Sequence, residues 1–215
     1  MGAITRAAAN NITTGGVILP AGINDASVAS VTALAQVSAG DGITLISSQT
    51  ASASASISFT GIDSTYRTYL FKFININNGG SEFLFNLSTD GGSNYNVAKT
   101  TTYIRTQHNE ADSTPDFSYD TGRDSAQSTS ARSITLPLGS ESDTNFGGYF
   151  YLFNPSSTTY VKHFIINTSN THSNTYANQN LIGGYGNTTS AINAVQFSML
   201  SGNINVGTIH LYGIA

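Results

Sequence analysis

Between Gln107 and Ser130 the sequence gathers Glu110, Asp112, Asp116, Asp120 and Asp124, a large share of the 12 acidic residues in the chain. Carboxylates at this density can do two kinds of chemistry. With Asn, Ser and backbone carbonyls they can supply the about six to eight oxygens that a calcium ion takes. Alternatively, two of them can form a glycosidase pair, whose separation sets the mechanism. The spacing matches neither an EF-hand loop nor a nonapeptide calcium repeat. The segment is also polar and without hydrophobic period, so a solvated loop is the favoured reading. A loop this long in a compact domain is usually functional or mobile.

Other reactive side chains form no constellation. His108, His163, His172 and His210 stand at no zinc-ligand spacing; His163 and His210 fall within strands, where hydrogen bonds at the sheet surface are expected to satisfy them. Serine is abundant, yet no Gly-x-Ser-x-Gly elbow occurs. Gly183-Gly-Tyr-Gly186 opens no helix, as a phosphate cradle must, and reads as a bulge or tight corner. The expectation is therefore a protein that is not an enzyme, with no catalytic, cofactor-binding or metal-ligating residue assigned and no cofactor. One binding chemistry stays open. Exposed tyrosine beside Asn, Ser and Thr can stack on and hydrogen-bond a sugar or another protein, with Tyr95, Tyr119, Tyr176 and Tyr185 as the positions concerned. The alternative is that these rings cap the rim of a core.

Composition narrows the partners. Charged residues are 9% of the 215, against a usual ~25%, and polarity comes from Asn, Ser, Thr and Gly. A net charge of -4 and a pI near 5.3, with no basic stripe, argue against nucleic acid. The chain has no cysteine, hence no disulfide framework. No apolar run approaches a membrane span, and no secretory leader is expected at the start. At this length roughly 70% of the unfolded surface can be buried, enough for a core without staples.

Hydrophobic periodicity supplies the elements that must position any site. The stretch Phe146–Asn167 is two apolar runs joined at Asn154-Pro155-Ser156-Ser157 and reads as a β-hairpin. Tyr149, Tyr151 and Phe153 would face one way, Phe150 and Leu152 the other, so this hairpin is expected at the centre of a β-sandwich. Ala51 to Phe59 alternates strictly, placing Ala51, Ala53, Ala55, Ile57 and Phe59 on one face. Tyr66 to Ile76 is a long strand with Tyr69, Phe71 and Phe73 opposite Leu70, Ile74 and Ile76. Asn77-Asn-Gly-Gly80 then predicts a hairpin to Glu82–Ser88, and Thr89–Asn94 a second hairpin turn. Tyr95 to Arg105 is expected near an edge. Ala131–Leu138, Leu181–Tyr185, Ala191–Leu200 and Val206–Ile214 supply further strands. Residues 1–40 differ: an extended arm, then a short helix from Asp25 to about Val37, too short to be stable alone. The fold expected is all-β, an antiparallel β-sandwich of jelly-roll type with about ten strands over 41–215, preceded by an anchoring arm.

Several segments resemble a family of small structural proteins of tailed bacteriophages, marine ones in particular. They are Ser48–Tyr66, Leu87–Tyr95, Leu152–Tyr160, Gly184–Ala194 and the terminal Ile209–Ile214, with the leader Gly2-Ala-Ile-Thr-Arg6. The resemblance covers most of 43–215 as a pattern of strands and turns, and it carries no site residues. It implies a non-enzymatic virion protein, assembled in the host cytoplasm and docked on other virion proteins of the capsid or tail through residues 1–40. Forty residues span at most ~60 Å even as helix, too little for a fibre shaft. A capsid decoration or short-fibre protein is thus favoured over a tail-borne adhesin knob that binds a host surface glycan or protein. A homo-oligomer, as a trimer, is expected.

Overall fold

The computed structural model describes residues 42–77, 79–173 and 175–215. Fourteen strands follow one another along them. The first four are β1 (Ile43–Thr50), β2 (Ser56–Thr60), β3 (Thr68–Asn77) and β4 (Phe83–Ser88). Five short ones come next: β5 (Lys99–Thr101), β6 (Ile104–Asn109), β7 (Asp116–Tyr119), β8 (Ser125–Ser128) and β9 (Arg132–Ser133). The last five are β10 (Phe146–Phe153), β11 (Lys162–His172), β12 (Tyr176–Gly186), β13 (Ala194–Met199) and β14 (Val206–Ile214). No helix occurs among the described residues; the arm and helix expected within 1–40 lie outside them.

All named strand pairs are antiparallel, and they build two sheets that pack as a β-sandwich. The larger runs β1-β14-β3-β10-β11-β12-β5-β8, with β6 also on β12 and β7 on β6; the smaller runs β2-β13-β4-β9. The hairpin expected at the centre is there. Its first strand lies between β3 and β11, with Phe150 opposite Phe71 on one side and Ile166 on the other. Period two then sorts the side chains. Phe150 and Leu152 are buried toward the smaller sheet, whereas Tyr149 and Phe153 are partly exposed on the outer face.

Between the sheets the core is a stack of phenyl rings, with Phe197 of β13 at its middle. Its centroid lies 5.2 Å from Phe73, 5.3 Å from Phe71 and 5.7 Å from Phe83, and 6.3 Å from Phe59 and Phe150. Most of these pairs are edge-to-face, the arrangement ring quadrupoles favour.

Several sequence expectations give way to inter-sheet crossings. Ala51–Phe59 is not one strand. The chain leaves the large sheet after Thr50, Ala53 adopts φ 50°, Ala53 and Ala55 are exposed, and alternation resumes only at Ile57 and Phe59 in the small sheet. Asn77–Gly80 is a corner rather than a hairpin turn, because β3 pairs with β10 and β14 while β4 pairs with β13 and β9. A bulge at Asn75, φ 52°, shifts the period, so Ile76 is buried with Phe73 instead of opposite it. Thr89–Asn94 also makes no hairpin. It is a turn tied by Asp90, whose carboxylate accepts from the Ser88 hydroxyl and from the Asn94 backbone and side-chain amides. Those bonds, Ser88's first, hold its pKa down to about 2.

Tyr95–Arg105, expected at an edge, contains a fully enclosed cation. Lys99 is fully buried, and its ammonium donates to Asn86 Oδ1 at 2.6 Å and Val97 O at 2.9 Å. Lys162 lies across the same inner row, through Gly186, and donates to the carbonyls of Tyr160 and Thr188. No carboxylate bonds to either ammonium among the described residues.

Two outcomes follow from this packing. Phe197→Ala should cost about 3–5 kcal/mol in urea unfolding, whereas Tyr160→Ala, at a side chain 70% exposed, should stay within about 0.5 kcal/mol. Burial, aided by the Arg132 charge, lowers the pKa of Lys99 from 10.5 to about 8. Below about pH 8 the folded state bears the full penalty of the buried charge, and stability rises with pH between the folded and unfolded values. From about pH 8 to about pH 9.5, wild type should gain roughly 1–2 kcal/mol relative to Lys99→Met. Identical pH responses in the two proteins would remove the buried ammonium from the account.

Candidate functional site

The carboxylates of 107–130 divide: Glu110 and Asp112 stand exposed in the turn between β6 and β7, as expected of a solvated loop, while the others are held by named partners. Short strands alternate with turns along the segment: the end of β6, then β7 and β8. Asp116 and Asp120 turn toward Arg105, at 3.3 and 3.9 Å. Asp120 also accepts from Arg123 at 2.8 Å, and Arg123 in turn reaches Glu82. Burial opposes the charge of Arg123, but the Glu82 and Asp120 carboxylates outweigh it and raise its pKa. Asp112 bonds His108 and Asp124 accepts from the Tyr119 hydroxyl. Among the described residues no three acidic, histidine or cysteine side chains stand together as a metal site. Low hydrophobicity hid these strands, because β7 is inverted: Asp116 and Ser118 face inward, while Phe117 and Tyr119 point out, 75% and 49% exposed.

That inversion belongs to a property of the whole outer face of the large sheet. One cross-strand row there reads Leu45, Tyr212, Leu70, Tyr151, Ile165, Gly183. The next reads Ser48, His210, Lys72, Tyr149, Asn167, Leu181, Ile104, Tyr119. Neither β1, β3, β10, β11, β12 nor β14 carries an Asp or Glu. An antiparallel sheet open to water on one side ordinarily alternates apolar-in with polar-out. Here aromatic and aliphatic side chains stand on both sides, as surfaces that meet other molecules do.

Within this face lies a groove of about 500 Å³. It forms where β12 changes partner, pairing through Gly184–Gly186 with β5 and through Tyr176–Leu181 with β6. At the switch, Gly183 bonds to Thr102 through the backbone and through the threonine hydroxyl, and its lack of a side chain leaves the floor open. His163 and Tyr185 stand at one side, their rings 5.8 Å apart. Tyr119 and Asp124 stand at the other, joined by the hydroxyl-to-carboxylate bond of 2.9 Å. That bond, before any other cause, raises the pKa of Tyr119. Thr100 lines the groove as well, its hydroxyl accepting from Gln127.

Of the four tyrosines singled out in sequence, the fold thus brings Tyr119 and Tyr185 to one groove. Tyr95 lies at the Asp90 turn, against Gly92, and Tyr176 packs beside His172 at the far end of β12. The histidines are not satisfied as expected: neither ring nitrogen of His163 bonds a described residue, and His210 Nδ1 is buried without a partner. Gly183–Gly186 is neither bulge nor corner, since its pairing with β11 is regular. Sequence could not reveal that Gly184 is required by close approach, where a Cβ would lie 2.6 Å from Thr100 O and 2.8 Å from the Phe164 ring. At Gly183 the nearest atom would be 3.5 Å away. Gly184→Ala should therefore cost about 1–3 kcal/mol in thermal or urea unfolding, and Gly183→Ala no more than about 0.5 kcal/mol. No protein-family model, curated protein or solved structure matches the chain.

Proposed function

We propose that the chain is a non-enzymatic structural protein of a bacteriophage particle, a surface decoration or short-fibre protein docked on the capsid by residues 1–40. The observation that carries this reading is the resemblance of Ser48–Tyr66, Leu87–Tyr95, Leu152–Tyr160, Gly184–Ala194 and Ile209–Ile214 to small phage structural proteins. The strand order supports it. The row β1-β14-β3-β10 facing β2-β13-β4-β9 reads as the two interlocked Greek keys of a jelly roll, an architecture used by capsid and lectin domains. Strands β5 to β8 and β11 to β12 are then insertions that extend the first of those sheets. The arginine pairing of Asp116 and Asp120 supports a rigid carrier over a hydrolase, whose carboxylates must reach substrate. In this reading the protein is assembled in the host cytoplasm, resides in the virion and forms a symmetric oligomer, a trimer.

A second reading, a tail-borne knob that binds a host glycan or protein, is favoured by one observation: the tyrosine-lined groove on an outer face without strand carboxylates. Immunoelectron microscopy of intact particles separates the two. Label over the heads, with particles lacking the protein less resistant to heat but unchanged in host range, is the expected result. Label at the tail, with soluble protein blocking adsorption, would replace the first reading by the second. Absence from purified particles would overturn both.

A further inference from the structure

We propose that the groove formed by Tyr119, Asp124, Thr100, His163, Gly183 and Tyr185 is a binding site for a neutral saccharide. The inference stands whether the protein is carried on a head, on a tail or on neither, because it rests on the chemistry of the groove alone.

A pyranose offers an apolar face of C–H groups and a rim of hydroxyls, each of which can donate and accept. The groove presents the complement of both. Tyr119 and Tyr185 both line the groove and supply aromatic surface, and tyrosine does so with few rotatable bonds to immobilise. Between them Gly183 leaves room for a ring to settle against backbone, as its missing side chain has no neighbour closer than 3.5 Å.

Polar atoms around this space are held in place and still have capacity. Asp124 Oδ2 accepts from Tyr119, which fixes the carboxylate; Oδ1 accepts nothing from the described residues and can take a sugar hydroxyl. Thr100 Oγ1 accepts from the Gln127 backbone and side chain, so its own proton is free to donate. The Tyr185 hydroxyl and both His163 nitrogens bond no described residue. A carboxylate acceptor, hydroxyl donors and an imidazole that can do either suit vicinal hydroxyls. Charge points the same way. Asp124 is the only carboxylate in the groove lining and no lysine or arginine lines it, so a phosphate, sulfate or sialic carboxylate meets repulsion without compensation.

Because the groove is open and shallow, affinity for a single sugar ring is expected in about the millimolar range. Saturation-transfer NMR and titration of isotope-labelled full-length protein with methyl glycosides of glucose, galactose and mannose test the proposal. Sialic acid, glucosamine and a neutral tripeptide serve as competing probes. Transfer to at least one neutral glycoside is expected, with amide shifts at His163, Gly183 and Tyr185. Tyr185→Ala and Asp124→Asn should each weaken it about tenfold or more, and Tyr160→Ala should leave it unchanged. Both groove variants alter exposed or half-exposed side chains; should either fail to fold, the shift map of the wild type still decides. No transfer from any neutral glycoside, shifts confined elsewhere, binding indifferent to Tyr185→Ala and Asp124→Asn, or preference for sialic acid, glucosamine or the peptide would each overturn the assignment.

Discussion

Everything in this sandwich is arranged around the contact of phenyl rings between two sheets. Phe197 projects from the small sheet into a space bounded by Phe71, Phe73 and Phe150 of the large one, and the sheets can close only at the spacing these rings allow. Sheets stack about 10 Å apart, so bulk in one place requires its absence in another. Gly213 shows this, since a Cβ there would lie 2.3 Å from the Tyr66 ring, which lies edge-on to Tyr69 with centroids 5.8 Å apart. Gly148 on β10 is required within the sheet instead, where a Cβ would strike the Asn167 carbonyl of the paired strand β11. Of the two, Gly213 is thus part of the core's shape.

Polar groups inside the insertion strands form a second system. Tyr103, fully buried, donates to Asn180 Oδ1 at 2.8 Å; the Asn180 amide donates to Thr168 and Asn170, and Thr168 donates to the Ile134 carbonyl. Buried polar groups are tolerable when so paired. Beside this network stand the ion pairs of Arg105 and Arg123. With Asp116 and Ser118 turned inward, the alternate positions of β7 must turn outward, and they hold Phe117 and Tyr119. The same period that serves the core elsewhere therefore delivers apolar side chains to the surface here, and the two outward aromatics of β7 are a consequence of where its charge went.

The groove follows from topology in a similar way. An eleven-residue strand, β12, spans more length than either β5 or β6 can cover, so its partner must change midway. At that discontinuity the sheet has a glycine floor, and residues from β5, β7, β11 and β12, spread in sequence from Thr100 to Tyr185, reach one place. A rigid scaffold carrying a shallow, pre-formed site is the common form of a recognition module, and it fits a particle-borne protein of either kind proposed.

Much was legible in the chain itself. Alternation in Phe146–Phe153 marked the central strand and told which residues share a face, and Val206–Ile214 was legible as a strand. Those readings succeed because period two is a local property of the backbone and amphipathicity is written on it directly. Pairing is not local. Asn77–Gly80 carries a hairpin's residues yet joins two sheets, and Ala51–Phe59 keeps its alternation in letters while the chain crosses the sandwich at Ala53. Nor could the acidic segment announce its strands, because arginines from β6 and the β7–β8 turn, both paired with Asp120, replace the hydrophobic signal with ion pairs. Tyr119 and Tyr185 were recognisable one by one as candidates for contact; only the folded sheets, which decide neighbours across long separations, made them two sides of one groove.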